Sequence, residues 1–435
     1  MTGSLPASSS TSAASNRREF MQTSAAVVAG GAFAASLAAP APVHAAGGDT
    51  LKIGLIGCGG RGLGAAVDAM EAEDNVKLTV LADVFKDQIE HARNVLGKHG
   101  PKFAVDNEHC FHGFDAYKQV MASDIDVVLL CTPTHFRPLH LRAAVEAGKH
   151  IFCEKPVAVD GPGLRSVLES SRMAKEKKLS LVSGLCWRYD LGVRDTVKRI
   201  QDGMIGDVLS IQENYLTGTL WHRGRQPNWS EMEYQIRNWL YYTWLSGDHI
   251  VEQHIHSLDK AVWLYGDKAP TKCFGLGGRQ VRTEAQWGNV YDHFAVCFEW
   301  EDGRKCNSYT RQMADCGNDV DDYIIGSKGR AVLLKHQIQP ESGDAWRYRG
   351  PKPSMYRVEH KELFASIRSG NLINNGEYMT YSTLMAIMGR EACYTGQTIT
   401  ADQVMKSNVK LGPDKYEWAD VPAPAIAIPG RTTFA

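Results

Sequence analysis

The chain has 435 residues, of which 43% are hydrophobic, and a formal charge of -1. This length exceeds that of a typical single domain and predicts about two domains. A nearly neutral chain gives no electrostatic basis for binding nucleic acid or an anionic membrane, so a small neutral or mildly charged ligand is favoured.

The first 46 residues have the pattern of an export signal. Arg17 and Arg18, with Phe20 two residues on, precede an apolar Gly/Ala-rich stretch and a group of small residues. The adjacent arginines resemble the twin-arginine motif, whose export machinery carries proteins that are already folded. We therefore predict a cleaved signal over residues 1–46 and a periplasmic protein without a stable membrane anchor. The alternative is a disordered tail with a chance arginine pair.

The ten cysteines are scattered singly and form no C-x-x-C pair. Several lie inside apolar runs, among them Cys131, Cys153 and Cys297. We expect buried free thiols that act as small hydrophobic side chains, and no disulfide is predicted.

Residues 51–185 alternate short apolar runs with amphipathic segments. Continuous runs such as "LKIGLIG" and "DVVLLCT" are typical of parallel strands covered by helices on both faces. The pattern predicts an α/β domain with a doubly wound, Rossmann-type sheet.

The first turn of this domain, "GCGGRG", has the spacing G-x-G-x-x-G between a predicted strand and helix. Glycines permit the tight turn and let the backbone approach a pyrophosphate at the helix N-terminus. Asp83 ends the second strand, where a carboxylate can accept hydrogen bonds from ribose hydroxyls and repel a 2′-phosphate. This combination predicts NAD rather than NADP, whereas the alternative is a glycine-rich turn in an unrelated α/β domain. The predicted cofactor-binding residues of the turn are Gly57, Gly59, Gly60, Arg61 and Gly62.

Two further loops, "CTPTHFRP" at 131–138 and "CEKP" at 153–156, each follow a predicted strand. Ligands of open α/β sheets bind at the carboxyl ends of strands, so both loops should border the cofactor. The glycine turn, Asp83, "TPTH" and "EKP" together resemble the Gfo/Idh/MocA oxidoreductase family, from about residue 51 to the C-terminus. The resemblance implies that Thr132, Pro133 and His135 lie near the nicotinamide.

The resemblance also implies that Glu154, Lys155 and Pro156 form the signature loop, with Lys155 reaching the reacting hydroxyl. Independently of the family, a partly desolvated lysine beside a bound cofactor can take part in proton transfer. Glu154 can orient this lysine. The alternative is a surface lysine neutralised by its neighbour.

Residues 186–435 alternate apolar with polar positions between turn signals, which predicts an α+β domain with a large, mostly antiparallel open sheet. The resemblance implies that this sheet stacks beside the nucleotide domain and forms the interface of a homo-oligomer. A substrate pocket is expected between the two domains.

The stretch "GDHIVEQHIHSLDK", residues 247–260, concentrates histidines and acidic residues. Its spacing matches no zinc-binding motif, so no metal is predicted. On a single helix, His254 would point away from the face that carries the other polar side chains. The residues predicted to share that face are His249, Glu252, His256, Asp259 and Trp263.

The resemblance implies that His256, titrating near neutrality, accepts the proton of the substrate hydroxyl. Glu252 occupies a position where relatives commonly have aspartate, and it would hold a substrate hydroxyl or fix the histidine tautomer. A satisfied core histidine is the alternative for His256. Whether His249 or His254 takes part stays open.

Two more groups are candidate substrate contacts. Trp221, His222, Arg223 and Trp239 lie in aromatic-rich stretches that are typical either of a sugar site or of a packed core. The adjacent pair "RY", Arg188 and Tyr189, follows a predicted strand and forms either a substrate contact or a surface turn.

The sequence thus predicts an exported, NAD-dependent oxidoreductase that acts on a sugar or polyol by hydride transfer at a ring hydroxyl carbon. Tight cofactor retention is expected because free NAD is scarce outside the cytoplasm. One alternative is an NAD-dependent glycoside hydrolase that works by transient oxidation and elimination. A non-catalytic sugar or nucleotide sensor is the other.

Overall fold

Two β-sheets organise the chain in the computed structural model, which describes residues 49–434. The predicted export signal, residues 1–46, lies outside the described residues. Within the described range, every helix is too short or too polar to cross a membrane.

The first sheet has six strands, all parallel, in the order β3-β2-β1-β4-β5-β6. Its strands are β1 Leu51–Ile56, β2 Val76–Asp83, β3 Cys110–His112, β4 Val127–Leu130, β5 His150–Cys153 and β6 Leu181–Ser183. The helices that cover it are α1 Gly60–Ala72, α2 Lys86–Leu96, α3 Ala116–Ala122, α4 Arg137–Glu146 and α5 Gly161–Glu176. The predicted doubly wound architecture is confirmed.

Strand β4 shows why the apolar runs of this half are continuous. Val127 and Leu129 pack into the core beneath α1 and α2, whereas Val128 and Leu130 pack into the core beneath α3, α4 and α5. A strand covered on both faces needs apolar side chains at successive positions. The loops that follow the parallel strands therefore meet along one edge of the sheet.

The second sheet has nine strands in the order β14-β13-β12-β11-β7-β10-β9-β8-β15. Only β7 and β10 pair in parallel within it, so the predicted mostly antiparallel sheet is confirmed. Its strands are β7 Val208–Thr217, β8 Lys272–Gly278, β9 His293–Glu299, β10 Lys305–Gln312, β11 Asp319–Gly326, β12 Gly329–Val332, β13 Gln337–Pro340, β14 Trp346–Arg347 and β15 Ile399–Thr400.

Helices cover one face of this sheet and connect it to the first. They are α6 Leu191–Gln201, α7 Glu231–Arg237, α8 Thr243–Ser246, α9 His249–Glu252, α10 Ile255–Leu264, α11 Met355–Ser369, α12 Gly376–Thr395 and α13 Ala401–Lys406. Helix α12 is buried on nearly all sides, because it packs against β8, α10 and α5. Helix α11 packs against α1 and adds Leu363, Phe364 and Ile367 to the core of the first sheet. Residues from the second half of the chain thus complete the core of the first half.

The histidine-rich stretch does not form one helix, which corrects the prediction of a single functional face. Helix α9 ends at Glu252, and α10 begins at Ile255. At the break, the His256 N–H donates to the Gln253 carbonyl (3.3 Å) instead of to the Glu252 carbonyl four residues back. The angular phase of a continuous helix therefore does not apply across this stretch.

All ten cysteines are free, and Cys153 is fully buried in β5. Cys131 and Cys297 are only half-buried, contrary to expectation. Cys131 follows β4 at the edge where the strand ends meet, and the side chain of Cys297 belongs to the open face of β9.

Candidate active site

The glycine turn has the geometry that its spacing predicts. Gly57 has a φ of 98°, and a Cβ added to it would lie 2.6 Å from the Cys131 carbonyl carbon. A Cβ on Gly62 would collide with the Gly57 carbonyl oxygen. These two glycines are required by the tight packing of β1, β4 and α1 against one another.

Gly59 and Gly60 differ from the other two glycines. A Cβ added to either would meet no atom within 4 Å, so packing inside the protein does not require glycine there. Both residues line a cavity, at the point where α1 begins. The N-terminus of α1 thus presents bare backbone to open space, which suits a phosphate group held close to the main chain.

Asp83 ends β2 beside this turn. Its Oδ2 accepts a hydrogen bond from the Cys58 N–H (2.7 Å) and its Oδ1 accepts one from the Phe85 N–H (2.9 Å). Burial raises the pKa of Asp83 to about 6, although the two backbone donors favour the charged form. Further donors, such as the hydroxyls of a ribose, would stabilise the carboxylate.

The cavity beside the turn has a volume of about 590 Å³, within the size range of small-molecule sites. Both halves of the chain contribute to its walls. The residues predicted from the sequence that line it are Gly57, Gly59, Gly60, Arg61, Asp83, Thr132, Pro133, Trp221, Arg223 and Trp239. Trp221, Arg223 and Trp239, predicted as walls of a sugar site, therefore line the same cavity as the glycine turn and Asp83.

His222 lies apart from this cavity. Its Nε2 is 3.1 Å from the Tyr234 hydroxyl and 3.2 Å from the Gln286 carbonyl oxygen, and burial lowers its pKa. It lines a separate surface depression. The structure thus divides the four predicted sugar-site residues between two places.

Arg137 is a central residue of the site that sequence reasoning missed. Its side chain is 3% exposed, and its Nη1 donates to the carbonyl oxygens of Glu154 (2.7 Å), Lys155 (3.2 Å) and Pro156 (2.9 Å). Its Nη2 donates to the Thr132 carbonyl oxygen. One guanidinium therefore ties the loop after β4 to the loop after β5.

His135 is not at the cavity, contrary to the resemblance. It is buried between the loop after β4 and the C-terminal tail, with Nε2 2.7 Å from the Tyr416 hydroxyl. Burial lowers its pKa to about 4. His140 lines the cavity instead, with its Nδ1 3.4 Å from the Thr132 hydroxyl, and burial lowers its pKa to about 3. The two histidines are only five residues apart in the sequence, and nothing in the sequence indicated which of them lines the cavity.

The Lys155 ammonium contacts Glu252 rather than Glu154, whose Oε2 accepts a hydrogen bond from the Lys155 main-chain N–H (3.1 Å). Its Nζ donates to the Glu252 carbonyl oxygen (2.6 Å) and to Glu252 Oε1 (2.9 Å), and the two side chains are 13% and 14% exposed. The loop after β5 is thereby joined to the end of α9. Glu154 Oε1 lies 3.2 Å from Arg61 Nε, and Arg61 lines the cavity, so Glu154 faces the cofactor side. Glu154 thus holds the main chain of Lys155 and does not orient its ammonium group, which corrects the expectation in that respect.

His256 lies in the first turn of α10, next to this pair. Burial, with the positive charges of Lys155 and Lys260 nearby, lowers its pKa well below the ordinary histidine value. It is therefore neutral at pH 7 rather than titrating near neutrality as expected. Its Nδ1 has no hydrogen-bond partner among residues 49–434. This nitrogen is buried, but His256 as a whole is only partly buried, and a neutral imidazole can accept a proton from a substrate that reaches its exposed part.

The other two histidines of the stretch are occupied in the interior. His249 Nδ1 lies 3.2 Å from Asp248 Oδ1, and His254 is hydrogen-bonded to the Ser308 hydroxyl. Both are buried. Among the described residues, no group of three or more histidine, cysteine or acidic side chains is arranged to hold a metal ion.

Arg188 and Tyr189 lie outside the cavity, and the structure gives both an internal role. The Arg188 guanidinium binds Asp259 with Nε–Oδ2 and Nη2–Oδ1 distances of 2.9 Å, and it stacks on Tyr378 at 3.7 Å. The Tyr189 hydroxyl donates to Asn375 Oδ1 (2.8 Å). Neither is placed as a substrate contact, because their polar groups already have partners in the core. Asp259 was predicted to share a helix face with His256, but it binds Arg188 in the core and is therefore not part of the site.

A Rossmann sheet, a bare-backbone turn at a helix N-terminus and a cavity that ends at Asp83 define a dinucleotide-binding protein. The Lys155–Glu252 pair and the neutral His256 next to this pair are groups suited to moving a proton. In class, this is an NAD-dependent oxidoreductase with a second, α+β domain.

Comparison with protein families agrees with this class. Residues 51–184 match the model described as "Oxidoreductase family, NAD-binding Rossmann fold", and residues 193–332 match the "GFO/IDH/MocA C-terminal domain". The chain belongs to the Gfo/Idh/MocA family of oxidoreductases, which confirms the resemblance.

Individual relatives are more distant. An inositol 2-dehydrogenase of Rhizobium meliloti (strain 1021) is 27% identical over 321 residues, covering 73% of this chain and 86% of that protein. A 2,7-anhydro-N-acetylneuraminate hydratase of Escherichia coli (strain K12) is 24% identical over 325 residues, covering 74% of this chain and 77% of that protein. The structure of scyllo-inositol dehydrogenase from Lactobacillus casei with bound NAD(H) and scyllo-inositol has the same fold. It superimposes with a TM-score of 0.62 at 19% identity, covering 81% of this chain and 100% of that one.

Proposed function

We propose that the protein uses NAD to oxidise a hydroxyl of a sugar or polyol to a carbonyl, or to run the reverse reaction. The contact of Lys155 Nζ with the carbonyl and carboxylate of Glu252 carries this proposal. It places an ammonium group and a carboxylate side by side in a partly buried site beside neutral His256. This is a set of groups that can hold a hydroxyl and remove its proton.

Each residue has a definable task. When bound, NAD supplies the hydride acceptor. Lys155, held by Glu252, donates a hydrogen bond to the reacting oxygen, and His256 accepts its proton. Arg137 fixes the main chain of the loop that carries Lys155, so the lysine is positioned before substrate binds.

The substrate class is inferred from relatives. One relative is named an inositol 2-dehydrogenase, and the structure with the same fold was solved with scyllo-inositol. Polyhydroxylated rings offer several hydroxyls to the same donors. A sugar or cyclic polyol therefore suits the site. Membership of an oxidoreductase family favours an enzyme over the non-catalytic sensor.

A second candidate is a reaction without net redox change. A relative is named a 2,7-anhydro-N-acetylneuraminate hydratase, which supports chemistry beyond simple dehydrogenation. In this chain, the same residues together with a second base would serve transient oxidation, elimination, addition of water and return of the hydride, including hydrolysis of a glycoside. The two candidates differ in whether the cofactor's redox state changes overall.

We also propose export through the twin-arginine route and a homo-oligomer formed through the second sheet. The open face of that sheet exposes large apolar side chains, with Leu276 79% exposed. The others on this face are Phe274, Tyr309 and Ile325. Leu276→Lys should convert the assembly to monomers in light scattering, and a wild-type monomer would refute the oligomer. Fusing residues 1–46 to a reporter that needs folded export tests the route.

A substrate panel tests the main proposal. Purified protein is incubated with inositols, aldoses and aryl glycosides, with and without added NAD, while products and NADH are measured. NADH formation with a polyol supports oxidation, and glycoside cleavage without NADH formation supports the second candidate. Lys155→Ala and His256→Asn should each reduce kcat/KM by about 10²-fold or more. The exposed Lys198→Ala is the matched control, and full activity of both site variants would refute the assignment.

A further inference from the structure

An aromatic cluster lies against the Asp83 end of the cofactor cavity, separate from the cores of the two sheets. Its buried members come from β2's end, α7, α8 and their neighbours. Two segments from the second half of the chain supply most of it. We call residues 219–242 and 408–421 together the clasp.

Arg237 joins the first clasp segment to the nucleotide-binding half. Its Nη1 and Nη2 donate to Asp87 Oδ2 and Oδ1, both at 3.0 Å, in the first turn of α2. Its guanidinium also lies 3.9 Å above the Phe85 ring. The Arg237 side chain is largely buried and lines the cavity together with Phe85. A bidentate, stacked arginine of this kind is held in one geometry.

The C-terminal tail supplies the second segment. Trp418 lies over Phe85 and Phe114, with ring centroids 5.4 Å and 4.8 Å apart, and Tyr416 stacks on Phe114 at 5.8 Å. The tail also holds α7, because the Met232 N–H donates to the Ala419 carbonyl (3.1 Å). Each clasp segment is therefore fixed both to the nucleotide-binding half and to the other segment.

The clasp also contributes to the wall of the cavity that the glycine turn lines. Trp221, Arg223 and Trp239 contribute this wall, and Arg223 forms no ion pair with any described residue. Its guanidinium stacks only on Trp221, 5.3 Å from the ring centroid. An aromatic wall with an uncommitted cation suits the adenosine and phosphate end of a dinucleotide.

We propose that the clasp retains NAD as a resident group of this protein, so that release requires the Arg237–Asp87 contact and the Trp418 stack to open. The inference rests on the proposed function only for the identity of the cofactor. Neither contact involves Lys155, Glu252 or His256. Retention can therefore be tested separately from catalysis.

The test measures cofactor release from the full chain. Protein loaded with NADH is diluted into excess NAD, and the loss of bound NADH fluorescence gives the dissociation rate. Acid release and mass spectrometry give the cofactor content after gel filtration. Asp87→Asn and Trp418→Ala break the clasp at residues that do not line the cavity. Arg225→Met is the control, since Arg225 pairs with Glu231 on the same segment but outside the cavity.

We expect wild type to keep about one NAD per chain through gel filtration. Asp87→Asn and Trp418→Ala should release NADH at least about tenfold faster, with thermal midpoints close to wild type. Arg225→Met should behave as wild type. Equal release rates in wild type and both clasp variants would overturn the proposal. If wild type releases NAD rapidly but turns over a sugar when NAD is added, the role of the clasp is refuted and the proposed function stands. If wild type retains NAD but turns over no sugar, the proposed function is refuted and the role of the clasp stands.

Discussion

Replacing Arg137 tests whether the two active-site loops are held by one buried side chain. Arg137→Met keeps the length and the apolar stem but removes all hydrogen bonds to the carbonyl oxygens of Thr132, Glu154, Lys155 and Pro156. Hydrogen bonds from a charged donor contribute about 1.5–3 kcal/mol each, and some freed carbonyls will bind water. We expect the free energy of unfolding to fall by about 3–6 kcal/mol. That is a large part of the usual 5–15 kcal/mol, as an order-of-magnitude guide.

Urea denaturation followed by tryptophan fluorescence measures this loss. Because the carbonyl of Lys155 is one of the acceptors, kcat should fall more than KM rises. Arg142→Met, on the same helix α4 but paired at the surface with Glu146, is the matched control and should change stability by less than about 1 kcal/mol. An Arg137→Met protein with the wild-type urea midpoint and wild-type kcat would show that the loops hold their shape without the guanidinium.

Two further outcomes follow from the site and its surroundings. Glu252→Gln should lower kcat/KM by about 10²-fold, but by less than Lys155→Ala does, because the Glu252 carbonyl still binds the ammonium group of Lys155. Glu169→Gln, at the surface, is the control. A larger loss of kcat/KM in Glu252→Gln than in Lys155→Ala would contradict this order. His360 is buried against Phe152, and burial lowers its pKa to about 3. In the unfolded chain, the same histidine gains a proton at about pH 6.5. The free energy of unfolding therefore decreases as the pH falls below about 6.5. In His360→Phe, the loss of unfolding free energy between pH 7 and pH 5 should be about 2 kcal/mol smaller than in wild type, and an equal loss would mean that His360 is charged in the fold.

The nucleotide-binding half was predictable because its signals are local. The glycine spacing, Asp83 and the apolar strands each specify a feature within a few residues of themselves, and the strand–loop order places the loops at one edge of the sheet. The Gly57 and Gly62 contacts show that the spacing reflects packing. Contacts within the protein do not explain why positions 59 and 60 are glycine, because a Cβ at either position would point into the open cavity.

Contacts between distant parts of the chain were not predictable. Arg188 meets Asp259 and His135 meets Tyr416 only because the tertiary fold brings them together. An arginine after a strand and a histidine in a motif look the same in sequence whether a ligand or a buried partner satisfies them. Trp221 and Trp239 were expected at a substrate and lie at the cofactor cavity, because the segment that carries them crosses to the nucleotide-binding half.

The break between α9 and α10 explains how the site receives its lysine. In a continuous helix, the Glu252 carbonyl would accept the His256 N–H. Because that N–H donates to the Gln253 carbonyl instead, the Glu252 carbonyl is free to accept a hydrogen bond from Lys155 Nζ. The Oε1 atom of Glu252 accepts a second hydrogen bond from the same ammonium group. One glutamate thus provides two acceptors to the lysine. The departure from helical geometry, which made the sequence-based face wrong, is therefore the feature that joins Lys155 to the second half of the protein.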